Sequence, residues 1–247
     1  REVDSSSPLV AALEIQGTPP ASELLAELAA LKDKYGDDVR PKDVTPLYAA
    51  LAALIPRERP HSIGDLPTSE LQTSFENKAL LLTGKGWLPP SQVFRGKPIF
   101  GERRAFVSDV QALRPLWQLL QISEPTIGAC IEVMGELADQ KTVPTADSKG
   151  MIVDVLRRLA ETQAGAKGQE LKKLSALPLW TSKGWCLDRP VYAVSSDNLE
   201  SSLGEKLPIW APFCSLQSLD KLPDILGVVK IVESDFSLTA DTDVSDA

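Results

Sequence analysis

"LLLTGKGWLPPSQVF", Leu80 to Phe94, returns 98 residues later as "PLWTSKGWCLDRPVY", Pro178 to Tyr192. Aligned without a gap, both read Thr-x-Lys-Gly-Trp, five residues, then Val and an aromatic. Each is an apolar run pinched by glycine and lysine. That is a hairpin signature, with glycine supplying the positive φ that a tight turn demands. Pro89 and Pro90 deny the second strand of the first copy a fully paired central place, because proline has no N–H to give a ladder.

The similarity extends beyond these words. "ALEIQGTPP" (12–20), "LLQISEP" (119–125) and "ILGVVKI" (225–231) share an aliphatic-Leu-x-aliphatic core, and the first two are followed by helical patterns. The period predicts an α+β fold of two tandem units of roughly a hundred residues. Each unit is expected to run helix, helix, loop, Trp hairpin, helix. The expected boundaries are 1–122 and 123–232, with an acidic, aperiodic tail at 233–247. In the first unit, helices are expected over "PPASELLAELAALKDKYG" with Ser22 as cap, and over "KDVTPLYAALAALIP" with Thr45 as cap and Pro46 at its first position. Residues 57–75 read as mostly loop, and "VSDVQALRPLWQLLQI" as a helix with Val110, Leu113, Trp117 and Leu120 on one face. In the second, Ser123 is the expected cap of "SEPTIGACIEVMGELADQ". Ile152, Val155, Leu156 and Leu159 mark the inner face of the next helix, and a polar stretch leads from there to the hairpin.

Composition is that of a globular protein: 43% hydrophobic and 24% charged over 247 residues. A net charge of −8 argues against a general nucleic-acid-binding surface, which needs clustered lysine and arginine. Three scattered cysteines and one histidine make neither a disulfide framework nor a zinc site, and fit reduced thiols in a cytoplasmic protein. No apolar run reaches the length of a membrane span. The opening "REVDSSSP" reads as a cut from a longer chain.

Candidate chemistry is thin. Gly84-Lys85 lacks the earlier glycine and the following Ser/Thr of a phosphate loop, so a turn is the better reading. His61 stands in a polar loop where Ser62, Asp65 and Ser69 are near in sequence, as in any such loop, and an exposed loop histidine is the expected reading over a triad. The tail aspartates 241, 243 and 246 lack the glycine and terminal glutamate of a calcium loop. Nothing singles out a pair of carboxylates for hydrolysis. Arg95, Lys97, Arg103 and Arg104 bracket "GKPIFGE" and form the one candidate anionic-ligand patch. Trp87 and Trp185 are expected to anchor their hairpins, since an isolated two-stranded hairpin is not stable.

"LPLWTSKGWCLDRPVY", with the following "LPIWAP" and "LDKLPDILGV", resembles the arrays downstream of the ATPase in sacsin-like and NO VEIN-like proteins. The resemblance implies alternating helices and hairpins, and an ATP-binding domain of the GHKL class outside this segment. No catalytic, cofactor or metal site is expected within it. The expected function is a scaffold or interaction region whose partner is a protein or another domain of the same chain. The alternatives are a nucleic-acid-contacting module using the basic run, and a carboxylate hydrolase.

Overall fold

A computed structural model describes residues 19–56 and 62–232. They gather into two compact units. The first runs to Pro98 and resumes over Glu102–Glu124; the second takes Ile99–Gly101 and the described chain from Pro125 onward. The fold is α+β, helices combined with short two-stranded ladders. His61, the segment 12–18 and the tail from 233 lie outside the described residues.

In the first unit, α1 (Ala21–Tyr35) buries Leu24, Leu25 and Leu28. Ser22 is not its cap: Pro20 stands at that position, and Asp65 reaches in to accept the Ser22 backbone N–H at 3.3 Å and the Ser22 hydroxyl. Next, α2 (Pro41–Ala53) starts five residues earlier than Thr45-Pro46 suggested, because Pro41 already supplies a proline at N1. Pro46 lies inside it, and the Thr45 hydroxyl bonds the Pro41 carbonyl at 2.8 Å.

Of the expected loop at 57–75, the described part from Ser62 onward is largely regular structure. β1 (Ser62–Ile63) pairs with β2 (Leu66–Pro67), and α3 (Thr68–Lys78) leads straight into the Trp hairpin. Only Leu71 and Phe75 of α3 are buried, so its polar composition hid a helix held by two side chains at i, i+4. The hairpin is β3 (Leu81–Thr83) against β4 (Gly86–Leu88). A 3₁₀ turn, Pro90–Gln92, follows, then β5 (Val93–Arg95), parallel to β6 (Ala105–Val107). The expected helix after it splits into a 3₁₀ turn, Gln111–Leu113, and α4 (Arg114–Leu119), and Val110 is 50% exposed. Tyr48 ties α2 to the hairpin: its hydroxyl donates to Leu80 O at 2.8 Å and accepts from Leu82 N at 2.9 Å. Burial pushes this phenol well above its ordinary pKa.

In the second unit, Thr126 rather than Ser123 caps α5 (Ile127–Asp139), accepting from Ala129 N at 3.2 Å. α6 (Ala146–Thr162) buries Ile152, Val155, Leu156 and Leu159, as their spacing predicted. The polar stretch before the hairpin holds a further helix, α7 (Gln169–Ser175), with Leu174 buried. Both "loops" ahead of the Trp hairpins therefore contain a helix. β7 (Leu179–Thr181) and β8 (Gly184–Cys186) make the second hairpin. β9 (Val191–Val194) lies parallel to β10 (Val228–Ile231), and α8 (Asp197–Leu203) and α9 (Leu222–Ile225) fall between them in sequence.

Single bridges knit these ladders together. Ile209 pairs with Tyr192 and Trp210 with Thr181, threading residues 209–210 between β9 and β7. In the first unit β6 holds the corresponding place, parallel to β5 and beside β3. There Arg95 N donates to Ser123 O at 3.0 Å, so the chain after α4 runs along β5 as β10 runs along β9.

Candidate functional site

The shared Thr-x-Lys-Gly-Trp phrase has one geometry in both places. The Thr83 hydroxyl donates to Gly86 O at 2.9 Å and accepts from Lys85 N at 3.1 Å. Thr181 does the same with Gly184 O at 2.8 Å and Lys183 N at 3.2 Å. Gly86 and Gly184 sit at φ +89° and +94°, where a side chain would be strained. The lysine between them is a turn residue and not part of a phosphate cradle.

The tryptophans differ. Trp87 is 9% exposed, and its indole N–H donates to Gly36 O at 2.7 Å. Gly36, at φ +54°, opens a 3₁₀ turn, Gly36–Asp38, that folds back over the hairpin. Asp37 comes so close that a Cβ on Gly86 would meet its Oδ1 at 2.5 Å. Trp87 is thus the anchor the sequence suggested. Trp185 is only partly buried. Its Nε1 is shielded from water and has no hydrogen-bond partner among the described residues, while its ring meets Trp180 edge to face at 5.6 Å.

Local sequence accounts for the difference. α5 has 13 residues against 15 in α1, and ends before it reaches as far. Lys141 then takes the positive φ that Gly36 has in the first unit, at +52°. No 3₁₀ turn follows it. Val143 precedes Pro144, and a residue before proline is pushed out of the helical region. The chain therefore stays extended there and Val143 is left 72% exposed.

Where the first unit has its covering turn, the second has a cavity of about 660 Å³. Ala138, Lys141 and Val143 form one wall, and Trp180, Trp185 and Leu187 the other. Leu187 is 66% exposed at the rim. The Gly184 face that Asp37 covers in the other hairpin is open here: the nearest atom to a Cβ on Gly184 is the Trp180 ring, at 4.0 Å. Sequence reasoning missed this site because it treated the two tryptophans as equivalent. The available signal was Val143-Pro144, in a place where the first unit writes Gly-Asp-Asp.

The residues of the basic run have partners within the chain. Arg95 is turned inward toward Glu124 at 3.6 Å and Asp109 at 4.0 Å. Asp109 is also gripped at two points by Arg114, at 3.0 and 2.9 Å. Lys97 is exposed, Arg103 and Arg104 partly so, and none of the three is without a partner. Among the described residues no three His, Cys, Asp or Glu side chains group as a metal site, and no helix is long and apolar enough to cross a membrane.

Comparison with protein-family models, curated proteins and solved structures gave no match for this chain.

Proposed function

We propose that this chain is a non-catalytic interaction region built from two copies of one module, part of a larger cytoplasmic protein of the sacsin-like or NO VEIN-like kind. One observation carries the reading. The same hairpin is closed by the protein's own backbone in the first unit and left open, with an aromatic floor and an apolar rim, in the second. A duplicated element that completes itself once and stays incomplete once is suited to receiving another segment of protein. The matching turn chemistry and strand order of the two units support descent from one module.

The reading is tested on the complete natural chain. An ATP-binding domain ahead of this segment is expected, together with no hydrolytic turnover by the segment alone. A natural chain without that domain, or steady turnover by the isolated segment, overturns it. The nucleic-acid alternative gains nothing from Arg95, which is engaged with carboxylates. A titration of single- and double-stranded nucleic acid at low and moderate salt is expected to show no salt-dependent binding.

A further inference from the structure

Building on that reading, we infer that the Trp180–Trp185 cavity receives an acidic, glycine-containing peptide turn, which covers the hairpin as residues 35–39 cover Trp87. The first unit shows what such a cover must offer. It brings a backbone carbonyl to the indole N–H, supplied by Gly36. It lays a carboxylate, that of Asp37, over the glycine of the hairpin turn. It adds an aliphatic side chain that becomes buried, Val39.

The second hairpin presents the complementary features without their partners. The Trp185 indole N–H is unpaired among the described residues but shielded from water, so the incoming turn must displace the groups that shield it before its carbonyl can accept from the indole. The face over Gly184 is free for a carboxylate, and Lys141 lines the cavity beside Asp139, so the incoming carboxylate gains from the lysine where it keeps clear of the aspartate. Val143 and Leu187 stand exposed at the rim, where an aliphatic residue would remove them from water. Lys183 is committed to Lys206 O at 2.7 Å, so it supports the wall and does not reach for the ligand.

The probe is a cyclised, dye-labelled peptide of the sequence KYGDDVRP, residues 34–41, titrated onto the full chain. Cyclisation holds the turn in its bound shape and lowers the ordering cost. Saturable binding is expected. It should weaken roughly three- to tenfold with Trp185→Phe, which keeps an aromatic ring but removes the donor. Leu187→Glu, at an exposed rim position, should weaken it at least as much, and circular dichroism melts verify that both variants are folded. A peptide with both aspartates changed to asparagine should bind more weakly than the parent.

Absence of saturable binding, or binding indifferent to Leu187→Glu, overturns the inference, as does equal binding of a scrambled peptide. If an apolar dye enters the cavity and is displaced by Leu187→Glu while the peptide fails, the turn is the wrong occupant and the interaction reading survives. Turnover by the segment refutes the interaction reading itself.

Discussion

Replacing Trp87 and Trp185 in turn by phenylalanine separates a structural anchor from an open site. At position 87 the substitution removes the bond to Gly36 O and leaves that carbonyl without its donor, a loss of about 1–2 kcal/mol. The missing second ring leaves a void in a well-packed place, for about 1 kcal/mol more on the scale of large-to-small core changes. The total is about 2–3 kcal/mol. At position 185 no hydrogen bond is lost, the ring is partly exposed, and an unpaired N–H is removed. The two variants should therefore differ by about 1.5 kcal/mol or more, with Trp185→Phe within about 0.5 kcal/mol of the parent. Urea unfolding followed by far-ultraviolet circular dichroism reads the difference without depending on tryptophan emission. Equal losses, or a larger loss at 185, would refute the claim that the two hairpins are closed differently.

Thr83→Val and Thr181→Val each delete a hydroxyl that both donates and accepts within its turn, and each should cost about 1–2 kcal/mol in the same urea assay; near-neutral variants would mean that the glycine alone sets the turn. Ser22 holds the Asp65 carboxyl below its ordinary value of 3.8, so this contribution is present above about pH 4 and fades as the pH falls through the lower folded value. The stability gap between the parent and Asp65→Asn should shrink on acidification, and a gap that widens in acid would contradict the bond. Burial raises the Cys130 thiol to about 12 against the opposing charge of Arg158, whereas Cys186 and Cys214 are partly exposed. A thiol reagent at mildly alkaline pH should count two thiols in the native protein and three after denaturation; three fast thiols would place Cys130 at the surface.

The hairpins were legible because every requirement of their turn is local: a threonine to pin it, a glycine to make it, a tryptophan to weight it. The inner face of α6 was legible for a related reason, four apolar positions at helical spacing facing one core. What escaped was set by residues distant in sequence. Asp65 takes over the work assigned to Ser22 from 43 residues away. α3 survives on Leu71 and Phe75, too few apolar side chains to announce a helix in a polar stretch. The cavity depends on whether the chain after one helix can curl, and that was decided by a single proline at 144, outside the repeated words. Counting cations found Arg95 but could not show it turned inward, because Asp109 and Glu124 reach it only once β5 and the chain after α4 lie side by side.

The threading of residues 209–210 between β7 and β9 also orders events during synthesis. In the first unit the last backbone bond along β5 comes from Ser123, 28 residues beyond Arg95. In the second, β9 waits for Val228–Ile231. A nascent chain arrested shortly after Leu226 would hold a finished hairpin beside a strand with one side unpaired, and that side would be open to pairing with a neighbouring chain. Residues 228–231 are therefore as much a seal against misassembly as a part of the sheet, and a truncation that removes them should be judged first by its solubility.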